Sequence, residues 1–178
     1  MFNPSELMSE LSRLRMVFHS EADFQHTFAW EIHRRMPHAE VRLERPIFVG
    51  GKTLHLDCLV TQEKMAVAIE LKYKTRKFDV SVQDEDFNLR NHGAQDLGRY
   101  DFIKDIQRLE KIKSQKNEVK GFAILLTNDS SYWIPTQRNR TVDADFRLED
   151  GRQVSGELEW KEASEGTMRG RKDKLRKV

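Results

Sequence analysis

The chain has 178 residues, 38% hydrophobic and 34% charged, with a formal net charge of +2. That length suits one domain with a real core, and the near-neutral balance gives no compositional case for a polyanion binder. The single cysteine, Cys58, excludes an intramolecular disulfide, no stretch approaches the ~18 apolar residues of a membrane span, and no zinc-type Cys/His spacing occurs. The first residues lack a basic segment followed by an apolar one, so a cytoplasmic protein is expected.

Pro4-Ser5 predicts a helix running to about Val17, with Leu7, Leu11, Leu14 and Phe18 at helical spacing. "SEAD" at Ser20 is a capping-box pattern for a second helix, whose apolar stripe is Phe24, Phe28, Ile32 and Met36 and which Pro37 ends. Three strands follow: Val41–Val49, with Pro46 marking an edge position or bulge, then "KTLHLDCLV" after Gly50-Gly51, then "MAVAIELKY" after the turn "TQEK". Residues 75–92 are polar and read mostly as a mobile loop, although "KFDVSVQ" alternates. A long helix is predicted from Ala94 to Ser114, with Leu97, Ile103, Ile106 and Leu109 inward, and "GFAILLTN" reads as a buried central strand. Asp150-Gly151 predicts a C-terminal hairpin. Residues 1–168 then form one domain, and 169–178 a basic tail with six Lys/Arg against one Asp, either a source of phosphate contacts or a solvated end.

The chemistry concentrates in the second and third strands. With "TQEK" as the turn, antiparallel counting sets Val60 opposite Met65, Asp57 opposite Ala68 and His55 opposite Glu70. One face carries Leu54, Leu56, Cys58 and Val60 with Met65, Val67, Ile69 and Leu71 and belongs to the core. The other carries His55, Asp57, Ala66, Ala68, Glu70 and Lys72. Asp57 and Glu70 become diagonal neighbours, and two such carboxylates repel unless a cation joins them. Mg²⁺ suits a site of one or two carboxylates, waters and phosphate oxygens, and Lys72 on the same face can orient or deprotonate water or stabilise a phosphoryl transition state. His55 reads as a substrate contact or as a plain polar strand residue. Tyr132 and Trp133 read as base-stacking groups or as loop anchors, and His92 as a capping or loop residue.

Asp57 followed by Glu70-Leu71-Lys72 resembles the motif of the PD-(D/E)XK nuclease superfamily. The order αβββαβ over residues 20–127 also resembles that family's restriction-endonuclease-like core. The proline that precedes the family's Asp is Leu56 here. The resemblance implies an α/β fold, a mixed sheet flanked by helices, with the C-terminal hairpin as an addition. It implies Mg²⁺ (or Mn²⁺) held by Asp57, Glu70 and the Leu71 carbonyl, with Lys72 at the attacking water. It also implies a Glu on the first core helix, for which Glu21 is the candidate with Gln25 one turn on, although Glu21 equally suits a helix N-terminus. Gln95 and Arg99 are the substrate-binding candidates on the long helix, where Asp96, Asp101 and Arg108 read equally as surface ion pairs. The expected activity is metal-dependent hydrolysis of DNA phosphodiesters, with RNA as the other substrate and a homodimer left open. The alternatives are a non-catalytic nucleic-acid-binding or scaffold protein of the same fold, and a small domain in which Asp57 and Glu70 merely pair with Lys72.

Overall fold

The computed structural model describes residues 3–49, 51–115, 118–136, 141–169 and 175–176. Helix α1 spans Pro4–Leu14 and α2 Glu21–Arg35. Both start at side-chain caps: Asn3 accepts from the Ser5 N–H, and Ser20 from the Asp23 N–H. α1 stops three residues short of Val17, because Arg15 is already extended and leaves Phe18 to be buried from a loop. Phe24, Phe28 and Ile32 are fully buried, each contributing about 1.5–3 kcal/mol by leaving water. Among the described residues, no helix is long and apolar enough to cross a membrane.

Strands β1 (Glu40–Val49), β2 (Lys52–Gln62), β3 (Met65–Lys74) and β6 (Val119–Thr127) form a mixed sheet in the order β1-β2-β3-β6. The first three are antiparallel, and β6 runs parallel to β3. The protein is therefore α/β, with helices on both faces of this sheet. α1 and α2 cover one face, where Leu7, Leu11, Phe18, Phe24, Phe28 and Ile32 join Cys58, Val60, Val67, Ile69 and Leu71. Helix α3 (Gln95–Gln115) covers the other, where Leu109 and Ile112 pack with Leu56, Ala68 and Val119.

Five expectations need correction. The β2–β3 turn is tighter than "TQEK": Gln62 pairs with Met65 and Leu59 with Ala68, and Glu63 takes the left-handed φ of 52° that so short a turn requires. Every pair therefore moves by two residues. The single apolar face of β2 is also broken, because Leu54 and Leu56 lie in the α3 cluster while Cys58 and Val60 lie in the α1–α2 cluster. The strand turns over at Asp57, and its neighbour Glu44, with φ 50°, falls in the gap between the rungs Leu43–Cys58 and Arg45–Leu56.

Residues 75–92 are not mainly loop. β4 (Phe78–Val82) and β5 (Glu85–Leu89) form a hairpin whose central Gln83 and Asp84 both have positive φ, a type I′ turn made without glycine. Fourth, β6 is an outer strand, not a central one. Last, the C-terminal hairpin does not form. Gly151 sits in a turn, with the Arg152 N–H on the Glu149 carbonyl and φ 73°, but the flanking segment is drawn onto α3, where Phe146, Leu158 and Trp160 pack on Tyr100. The strand pairing there joins β7 (Glu157–Leu158) to β8 (Leu175–Arg176), with the short helix α4 (Glu165–Met168) between. The expected phosphate contacts of the 169–178 tail lie almost wholly outside the described residues.

Candidate active site

The β2–β3 ladder ends at Cys58–Ile69. One step further, where the same count sets Asp57 opposite Glu70, the strands exchange a side-chain bond. Asp57 Oδ2 accepts the Leu71 N–H at 2.7 Å. The backbone rung is thus replaced by a carboxylate, held rigidly where the strands part. Behind it, the Gln25 amide of α2 donates to the Asp57 carbonyl at 2.8 Å and to Glu44 Oε1 at 3.1 Å, which ties the helix to the irregular point of both strands. Glu21, four residues earlier, accepts the Tyr73 N–H at 2.8 Å. Both α2 candidates therefore lie at the motif, one on each side of it along the chain.

Glu70 and Lys72 face α3. Glu70 is fully buried, with Oε1 2.7 Å from Arg108 Nη1. Its Oε2 is also buried and has no hydrogen-bond partner among the described residues. Burial pushes the Glu70 carboxyl up to about 8; Arg108 opposes the shift, while Asp57 and Asp105 add to it. Lys72 Nζ lies 3.3 Å from Asp105 Oδ2 and 4.0 Å from Asp57 Oδ2. Burial works against its charge, but Asp105, Asp57 and Glu21 outweigh that and hold the ammonium above its ordinary value. Asp105 itself is raised, first by burial, with Lys72 and Arg108 pulling it back, and Arg108 Nη2 stands 3.3 Å from Asp105 Oδ1.

Asp57, Glu70, Lys72, Glu21 and Gln25 thus come together. His55 does not: it is exposed, and alternation puts it on the side of β2 away from Leu54 and Leu56, hence away from the α3 face. Gln95 and Arg99 are also elsewhere. Gln95 donates to Asp129 at 2.9 Å. Arg99 is buried between Asp143, at 2.6 Å, and the Ser131 carbonyl, with its guanidinium over Tyr132. Those bonds anchor the turn at Ser130–Tyr132 and use the donors that substrate would need. Tyr132 is itself a buried anchor against Gly98.

The α3 residues that do belong are Asp105 and Arg108, the latter read from sequence only as a surface charge. Asp105 had a usable signal: it stands four and seven residues before the buried Leu109 and Ile112, so it interrupts an apolar stripe. Among the described residues, no three His, Cys, Asp or Glu side chains form a group ready for a metal. The Asp57 and Glu70 carboxylates are donors of the kind that suit a hard cation with retained waters, and Glu70 Oε2 is buried with no hydrogen-bond partner among the described residues. No protein-family model, curated protein or solved structure matches this chain, so its function has to be argued from its own geometry.

Proposed function

We propose that the protein is a Mg²⁺-dependent nuclease, able to use Mn²⁺, that hydrolyses DNA phosphodiester bonds on a restriction-endonuclease-like αβββαβ core. The observation that carries this reading is the parting of β2 and β3, where Asp57 caps the Leu71 amide while Glu70 and Lys72 are directed to one face. The element order, with β6 parallel to β3, supports the same core. RNA is the alternative substrate, and the cytoplasm the expected compartment.

Asp57, Glu70 and the Leu71 carbonyl would hold the cation, which when bound lowers the pKa of a water and offsets charge on a phosphate. The chain's own groups supply the rest. Lys72 is an ammonium throughout the neutral range, so it donates to the attacking water or a phosphate oxygen and stabilises negative charge; its raised pKa disfavours a base role. Asp105 fixes the Lys72 head group, and Arg108 orients Glu70 through Oε1, leaving Oε2 without a hydrogen-bond partner among the described residues. Gln25 holds the Asp57 backbone.

One observation favours a second reading. Arg108 holds Glu70 through Oε1 and Asp105 pairs with Lys72 without any cation, as in a non-catalytic nucleic-acid-binding or scaffold protein. Incubating the protein with labelled duplex, single-stranded and branched DNA in Mg²⁺, Mn²⁺ or EDTA separates the two. Cleavage in the metals, absent in EDTA and lost in Asp57→Ala, is expected. Binding with no metal-dependent cleavage would replace the nuclease reading with the second.

A further inference from the structure

Beside the site lies a groove of about 580 Å³, between the start of α2 and the β4–β5 hairpin. Glu21 and Tyr73 line it, so it begins at the residue that follows Lys72 on β3. Its other walls are basic and polar. On β3 the row Glu70, Lys72, Lys74 continues along one face, and Lys74 lines the groove. On β5 Phe87 and Leu89 are buried, and Leu89, the exposed Asn88 and, just past the strand, the exposed Arg90 line the groove. His92 closes it. The Thr75 N–H donates to His92 Nδ1 at 3.0 Å, so the neutral ring carries its proton on Nε2 and remains a donor.

The charges here differ from those at the centre. Lys72 and Arg108 are tied to carboxylates, whereas among the described residues Lys74 and Arg90 have no carboxylate partner. The one carboxylate lining the groove, Glu21, is turned onto the Tyr73 amide. His19 is held by Glu85 at 2.7 Å and stacks on Phe87, so it braces the hairpin. Two free cations, an amide and an imidazole N–H converging on one polar groove match a phosphodiester. Lys72 and Lys74 are two strand residues, about 7 Å, apart, the scale of one nucleotide step.

We propose that this groove is a subsite for a backbone phosphate of the bound strand, one nucleotide from the phosphate at Lys72, with Lys74 and Arg90 as its principal contacts. The placement rests on the nuclease reading; the phosphate chemistry of the groove does not. The test measures anisotropy of a short fluorescein-labelled single-stranded DNA, in EDTA, across a salt series, for the parent, Lys74→Ala, Arg90→Ala, the double variant, and Lys64→Ala as a charge control in the β2–β3 turn at the other end of β3. Each groove variant should lose about tenfold in affinity at low salt, and the double variant should flatten the log–log salt slope by about 0.7, the contribution of one phosphate on a single strand. Lys64→Ala should match the parent. Unchanged affinity and slope in the double variant, equal losses in Lys64→Ala, or no binding by the parent would overturn the subsite. Cleavage is assayed separately in Mg²⁺. If the parent does not cleave yet its binding depends on Lys74 and Arg90, the nuclease reading fails and the phosphate groove stands; if it cleaves and the double variant binds undiminished, the groove fails and the nuclease reading stands.

Discussion

The two faces of the sheet are built on opposite principles. Toward α1 and α2 the buried cluster is apolar: Phe24, Phe28 and Ile32 meet Val60, Val67 and Ile69, and the polar groups of α2 nearest the sheet, Glu21 and Gln25, sit at its edge beside the motif. Toward α3 the apolar contacts of Leu56, Ala68, Leu109 and Ile112 stop short, and Glu70, Lys72, Asp105 and Arg108 fill the remainder. Burying ion pairs costs more desolvation than their attraction commonly returns, and apolar substitutes of similar volume are often more stable. The first face holds the fold; the second carries an expense that folding alone does not explain, and Glu70 Oε2 on it has no hydrogen-bond partner among the described residues. Stability and the proposed activity should therefore separate by face.

The largest expected effect is on the apolar face. Phe28→Ala leaves a cavity in a fully buried cluster and should cost about 3–5 kcal/mol in urea unfolding, while cleavage per folded molecule stays near the parent's. Next, Lys72→Ala should leave Mn²⁺ binding and the fold in place but lower cleavage by about 10²-fold or more; near-parent activity would remove Lys72 from the mechanism.

Glu70 sharpens the contrast through pH. Its carboxyl is raised in the folded protein to about 8, chiefly by burial, so the folded state holds a proton that the unfolded chain releases near the usual carboxylate value. The stability this contributes is complete at acidic pH and is lost as pH rises through about 8. In EDTA the melting temperature should fall between pH 6 and 9, and Glu70→Gln should flatten that fall. Mn²⁺ affinity should rise over the same window, because the cation needs the ionised form. The smallest effect is expected in the β4–β5 turn. Replacing Gln83-Asp84 by Asn-Gly suits two positive φ angles and should stabilise the protein by about 0.5–1 kcal/mol, without touching either face.

What was legible in the sequence follows the same division. Capped helices, the stripe of α2 and the antiparallel strands could be read from local periodicity, and Asp57, Glu70 and Lys72 stood out as charges within apolar strands. Glu21 and Gln25 came from the resemblance and do meet the motif. Features that depend on long-range packing were lost. The turnover of β2 at Asp57 puts His55 on the wrong side and depends on Glu44 across the ladder, which periodicity cannot detect. Gln95 and Arg99 sit on the right helix, but their partners, Asp129 and Asp143, come from the far end of the chain. The β4–β5 hairpin was missed because its turn has no glycine or asparagine, and the C-terminal strands were over-read because Phe146 and Trp160 find a better surface on α3.

The most direct test of the central claim is a calorimetric titration of Mn²⁺ into the parent and into Asp57→Ala at pH 8, with melting curves on the same samples. Saturable binding by the parent, abolished in a variant that still unfolds cooperatively and melts only modestly earlier because the buried Leu71 N–H loses its acceptor, is the predicted result. A parent that takes up no Mn²⁺, or an Asp57→Ala protein that binds it equally well, would contradict the assignment of Asp57, Glu70 and the Leu71 carbonyl as a metal site.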